Sequence, residues 1–240
     1  MSTPRYAIYV VPRADTALYR FGASVLGYDC YTGNDVGSLA GTEAFAWPEI
    51  VREPRVYGFH ATLKAPFRLG EGISEADLVR AFVSQVGDIA SVDVGDLILR
   101  EIGAFIALVP KTPSPALNRL AETCVQAFDH FRAPMSEAER ARRLASNLST
   151  QQIEHLDRWG YPYVFEEFRF HMTLTGPLAP SDRARAFAFL DDKFEQVPDT
   201  RSLIIDQIVI ARQAATNGPF QVLRAAALGQ SIYRPHATSY

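Results

Sequence analysis

Apolar and polar positions along this chain follow two periods, and the switches between them mark its elements. Tyr6-Ala-Ile-Tyr-Val-Val11 is rich in β-branched and aromatic residues and stops at Pro12, which predicts a strand. Residues 15–27 read as a helix. Gly33, Gly37 and Gly41, followed by Trp47-Pro48 and Glu53-Pro54, predict irregular chain as far as Arg55, a segment suited to a cleft wall. Helical patterns run from about 115 to 131 and from about 136 to 156, the second of them polar. The aromatic stretch Trp159-Gly-Tyr-Pro-Tyr-Val-Phe165 follows.

Two stretches of the chain resemble each other. Tyr57-Gly-Phe-His-Ala-Thr-Leu-Lys-Ala-Pro-Phe67 aligns without a gap on Phe168-Arg-Phe-His-Met-Thr-Leu-Thr-Gly-Pro-Leu178. Each is followed by an acidic helix start, at Ser74 and at Ser181, and then by a strand pair: Leu97-Ile-Leu with Phe105-Ile-Ala-Leu-Val, and Ile208-Val-Ile with Phe220-Gln-Val-Leu. An offset of 111 residues relates His60 to His171 and also Leu97 to Ile208. The pattern predicts an α+β fold: a bilobal duplicated strand-helix-strand-strand unit with two mainly antiparallel sheets flanking a central cleft. We expect one domain over 1–240, with repeat units at about 55–112 and 166–228 and a helical insert at about 113–165.

Alternation along a strand gives each motif one apolar and one chemical face. His60, Thr62 and Lys64 share a face, backed by Phe59, Ala61, Leu63 and Ala65; His171, Thr173 and Thr175 repeat the arrangement. If an approximate two-fold axis relates the lobes, two imidazoles and two hydroxyls surround one phosphate-sized space. Opening a phosphodiester needs a base for the nucleophile and an acid for the departing oxygen, and two histidines supply both near neutral pH. Thr62 and Thr173 are candidate donors to non-bridging phosphate oxygens. Lys64 is expected to add charge at the rim, with Thr175 in the equivalent place of the second motif.

The pair His60-Ala-Thr62-Leu and His171-Met-Thr173-Leu resembles the signature of the 2H phosphoesterase superfamily, which includes RNA 2',3'-cyclic phosphodiesterases and LigT-like 2'-5' RNA ligases. Arg5-Tyr-Ala-Ile-Tyr9, Arg20-Phe-Gly-Ala, the first motif and Trp159-Gly-Tyr-Pro-Tyr163 are similar to its DUF1045 branch. That branch is described as a phosphonate-metabolism protein because it accompanies carbon-phosphorus lyase genes. The resemblance covers nearly the whole chain. It implies a bilobal fold, acid-base catalysis by the two histidines, phosphate contacts from the two threonines, and no metal or other cofactor. The implied activity is that of a phosphodiesterase or cyclic phosphodiesterase on a small nucleotide or phosphoribosyl phosphate. The alternative is a non-catalytic nucleotide- or RNA-binding module using the same cleft.

Composition narrows the partners. Lys and Arg total 24 against 27 Asp and Glu, a formal net charge of -3 that disfavours duplex DNA and leaves short RNA open as a ligand. Cys30 and Cys124 are too few for a disulfide framework or a Cys-rich zinc site. No apolar run approaches the ~20 residues that span a bilayer, and the expected address is cytoplasmic, with no membrane partner. The oligomeric state is not legible. Tyr9, Tyr57, Tyr161 and Tyr163 are candidates to stack on a base or ribose. Arg140, Arg142 and Arg143 read as a solvated helix face, with substrate steering as the alternative. His130 and His155 read as ordinary helix residues, and His236-Ala-Thr238 matches the triplet outside the repeat.

Overall fold

The computed structural model describes residues 3–197 and 202–229; His236 lies outside them. In chain order the elements are β1 (Arg5–Val10), α1 (Ala17–Leu26), β2 (Tyr28–Asp29), β3 (Asn34–Asp35), α2 (Trp47–Arg55), β4 (Ala61–Phe67), α3 (Glu75–Val86), β5 (Val92–Ile102) and β6 (Phe105–Pro110). Then come α4 (Pro115–Ala127), α5 (Glu137–Leu144), α6 (Thr150–Trp159), β7 (Met172–Thr173), α7 (Pro180–Glu195), β8 (Ser202–Ile205), β9 (Gln207–Gln213) and β10 (Phe220–Ala227).

Two four-stranded sheets carry the fold, in the orders β10-β9-β1-β4 and β7-β6-β5-β8, with antiparallel pairing throughout. Each histidine motif lies at the edge of one sheet, β4 in the first and β7 in the second. The helix after each motif packs on that motif's own sheet: α3 against β9 and β10, α7 against β5 and β6. The strand pair that follows then crosses over: β5 and β6 join the sheet of β7, and β9 and β10, which come after the edge strand β8, join the sheet of β4. The repeat is therefore reciprocal, and each lobe is completed by chain from the other half. One cluster of buried apolar residues runs through both, including Ile8, Phe82 and Ile210 on one side and Leu97, Leu108 and Leu190 on the other.

Local signals account for most boundaries. Ser74 accepts from the Asp77 N–H while the Asp77 carboxylate accepts from the Ser74 N–H, a reciprocal cap that starts α3. The polar helix expected over 136–156 is two helices, because Ser149 and Gln152 form a second cap of the same kind beyond the one at Ser136 and Glu139. α5 and α6 are pinned by a two-pronged Arg140–Asp157 pair at 2.6 and 2.8 Å. The irregular chain expected up to Arg55 ends earlier, as α2: Pro48 occupies the first turn, where a missing N–H costs nothing. α7 begins at Pro180 for the same reason, with no side-chain cap. Both cysteines are buried and unpaired.

Gly22 of α1 shows how closely this frame is packed behind the first motif. A Cβ at that position would overlap the ring of Phe59, the residue preceding His60. Gly22→Ala is therefore expected to destabilise the fold by about 1–3 kcal/mol through overpacking, read as a lower urea midpoint with an unchanged m-value, despite alanine's better helix propensity.

Candidate active site

The two histidines sit just before their strands and are held alike. The Nδ1 of His60 lies 2.8 Å from the Gly58 carbonyl, and the Nδ1 of His171 lies 2.8 Å from the Arg169 carbonyl. A carbonyl oxygen only accepts, so each Nδ1 carries the proton in the neutral ring and each Nε2 is the basic nitrogen. The Nε2 of His60 lies 3.2 Å from the Thr62 hydroxyl. Gly58 attains this turn at φ +71°, where a Cβ would lie 2.6 Å from that of Cys30; in the second motif Arg169 takes the same place.

Around His60 the walls are aromatic. Tyr9 packs against the imidazole with ring centroids 3.9 Å apart, and Tyr57, itself stacked on Phe220, lies 6.1 Å away. Burial disfavours the imidazolium and pushes the His60 pKa down to about 4; the charge of His171 acts in the same direction, and the Gly58 carbonyl opposes it. Each imidazole is thus within electrostatic reach of the other. Thr62 and His171 line one cavity of about 420 Å³, together with Phe105, Tyr161, Tyr163 and Arg169, whereas His60 and Thr173 are not on its wall. That volume lies within the range of small-ligand sites. Thr173 is half-buried on β7, opposite Ala107 of β6.

Three expected contacts are corrected by the structure. Lys64 is not at a rim: its side chain is 4% exposed, and its ammonium donates to Asp129 at 2.9 Å and to the Val125 carbonyl at 3.2 Å. The cause is a register shift. Tyr9 pairs with Thr62 but Ile8 pairs with Lys64, so β4 carries an extra residue and its alternation is reset after Thr62. Thr175 is fully buried and accepts from the Ile106 N–H at 3.0 Å, because β7 ends at Thr173 and no alternation continues to it. Tyr9 is 1% exposed and backs His60, so its face is not offered to a base. Tyr57 is half-buried beside His60, whereas Tyr161 and Tyr163 meet edge to face at 5.6 Å on the cavity wall.

Sequence reasoning missed Phe105 and Arg169. The ring of Phe105 lies 5.9 Å from that of His171, and the Arg169 guanidinium donates to the Glu166 and Phe168 carbonyls. The signal for Arg169 was its place opposite Gly58 in the repeat. His130 lies against Phe131, and His155 faces Glu166 at 3.4 Å, both outside the cavity. Among the described residues no three His, Cys, Asp or Glu side chains converge as metal ligands, and no helix is long and apolar enough to cross a membrane.

Two antiparallel sheets that exchange strands, with a like-held histidine at the edge of each, define the class as an α+β protein with a duplicated histidine motif. The chain belongs to the family described as Protein of unknown function (DUF1045), which matches residues 62–221. It is similar to Ribose 1,5-bisphosphate phosphokinase PhnN of Janthinobacterium sp. (strain Marseille), 34% identical over 244 residues, with 98% of this chain and 54% of the relative covered. The protein of the same name from Laribacter hongkongensis (strain HLHK9) is 33% identical over 206 residues, with 84% and 48% covered. The chain spans about half the length of these curated relatives. Among solved structures, E. coli LigT complexed with 3'-AMP aligns at 12% identity and a TM-score of 0.45, covering 95% of this chain and 99% of LigT.

Two outcomes follow from these environments. The unfolded chain protonates His60 near pH 6.5 and the folded chain near pH 4, so between those values the unfolded state binds more protons and stability falls as the pH is lowered. Urea titrations at pH 7 and pH 4.5 should show this slope, flattened in His60→Gln. Asp129→Ala strands a buried ammonium and is expected to cost about 3–5 kcal/mol at pH 7, measured by the same titration.

Proposed function

We propose that the cleft is the active site of a phosphodiesterase or cyclic phosphodiesterase that acts on a small phosphoribosyl or nucleotide phosphate by two-histidine acid-base catalysis. The observation that carries this reading is the matched capture of both Nδ1 atoms, which leaves Nε2 as the basic nitrogen of each ring, with the rings within electrostatic reach of each other. A packing histidine needs no symmetry-related partner held in the same tautomer.

In the reaction we infer, water attacks the phosphorus of a cyclic phosphate while the Nε2 of neutral His60 takes its proton. His171, protonated, gives its proton to the departing ester oxygen. One P–O bond forms, one breaks, and the ring opens to a phosphate monoester without change of oxidation state. The hydroxyls of Thr62 and Thr173 donate to the non-bridging oxygens, where charge accumulates in the transition state. The depressed pKa of His60 suits it to the base, since it stays neutral through the physiological range. Tyr161 and Tyr163 supply the wall for a ribose or base.

The names of the relatives support a ribose phosphate as substrate and a role in phosphonate metabolism. They give no reason to propose a nucleotide-dependent kinase here: none of Lys64, Lys111 and Lys193 follows a glycine, so the chain carries no G-x-x-x-x-G-K-[ST] phosphate loop.

A screen of 2',3'-, 1,2- and 3',5'-cyclic phosphates tests the reading. His60→Ala and His171→Ala should each lower kcat/KM by about 10²–10⁴, EDTA should leave the rate unchanged, and the acid limb for the free enzyme should fall below about pH 4. Full turnover in both variants refutes the assignment. Tight binding without turnover across the panel points to the non-catalytic module instead.

A further inference from the structure

Beside the histidine cavity lies a second, smaller hollow of about 60 Å³, lined by Arg5, Arg68, Arg132, Arg142 and Arg143 with Glu139 as the sole acidic side chain on its wall. Five guanidinium groups against one carboxylate stand out in a chain whose formal net charge is -3. Three of the five are partly engaged. Arg68 pairs with Glu139, Arg132 with Asp129, and Arg5 donates to Gln213 at 2.8 Å while lying over the Phe220 ring. Arg142 and Arg143 have no acidic partner among the described residues. Arg142 is exposed, and Arg143 lies 5.3 Å over the ring of Tyr161.

We propose that this hollow is a second anion subsite, which holds a phosphate monoester of the substrate that is not transferred. Its volume is far below the several hundred Å³ of whole-ligand pockets and suits a single small group. Planar guanidinium forks match phosphate oxygens two at a time, and unpaired ones carry no ion pair that must first be broken. The two hollows are lined by consecutive residues at two places. Ala65 lines the histidine cavity and Pro66 the arginine hollow; Tyr161 lines the former and Gly160 the latter. Along β4, Thr62 and Pro66 are four residues apart, roughly 13 Å of strand, and Arg143 lies over the ring of Tyr161, which lines the histidine cavity. A substrate that puts its cyclic phosphate against the histidines can therefore put a terminal phosphate among the arginines.

The basic run at 140–143 is divided by this geometry. Arg140 is consumed by Asp157 in bracing α5 on α6, and that brace points Arg142 and Arg143 at the hollow. Binding energy from a remote, non-reacting phosphate is available to position the reacting one. The proposal rests on the histidine cleft being the reacting centre, and it narrows the substrate to one with two phosphorylated positions.

The test separates binding from turnover. Calorimetry with ribose 5-phosphate as probe, and ribose as control, is run on the wild type, on His60→Ala/His171→Ala and on Arg142→Gln/Arg143→Gln, with circular dichroism confirming that each is folded. Ribose 5-phosphate should bind the wild type and the histidine variant alike, and the arginine variant at least tenfold more weakly; ribose should not bind. Unaltered affinity in the arginine variant overturns the proposal, as does binding that vanishes with the histidines alone. In kinetics, the ratio of kcat/KM for ribose 1,2-cyclic phosphate with and without a 5-phosphate should fall at least tenfold in the arginine variant; equal losses on both substrates also overturn it. If the wild type opens no cyclic phosphate, the phosphodiesterase reading fails, and the calorimetry alone decides whether the anion subsite exists.

Discussion

The carbonyls of Gly58 and Arg169 each accept a hydrogen bond from an imidazole two residues on, and the state of both rings depends on that short contact. It fixes the tautomer, the ring orientation and the exposed nitrogen in one step. Without it an imidazole at the start of a strand would rotate about χ2 and exchange tautomers freely. The first motif adds a low-polarity setting, with Tyr9 packed at a tilt against His60 and Phe59 behind it, and this holds the ring neutral. The second motif lies at the cavity wall beside Phe105. Equal anchoring in unequal surroundings is a way to obtain a base and an acid from the same side chain.

The duplicated frame diverges where charge is concerned. Lys64 is drawn into the core by Asp129, which Arg132 also engages, so that a cation expected near the substrate braces β4 against the segment after α4. Positive charge on the cavity wall comes instead from Arg169, and the insert brings arginines to the neighbouring hollow. The caps at Ser136 and Ser149 split that insert into two helices, and the Arg140–Asp157 pair sets their relative position. The arginines of α5 reach that hollow from outside the repeat altogether.

Exchange of strands makes the halves interdependent. β5 follows the first motif but completes the sheet of the second, and β9 does the reverse. Neither histidine can be supported by its own repeat alone, and the apolar cluster continuous between the sheets holds both motifs in one frame. A duplicated unit whose copies merely stood side by side would leave the distance between the imidazoles to a hinge.

Much of this was legible in the residues. The gapless alignment of the two motifs and the common offset of 111 residues specified the repeat, the two histidines and the α+β class, because pattern and spacing are local properties of a chain. The split of the polar helix was also written locally, in Ser149 and Gln152, beneath a continuous helical pattern. What the residues alone did not decide was direction. Lys64 and Thr175 share the parity of the histidines, yet a bulge in β4 and the early end of β7 turn both into the core. Register is set by the partner strand rather than by the strand itself. The crossing of β5 and β9, and the gathering of Arg5, Arg68, Arg132, Arg142 and Arg143 from four separate segments, likewise depend on long-range packing, which only the folded chain fixes.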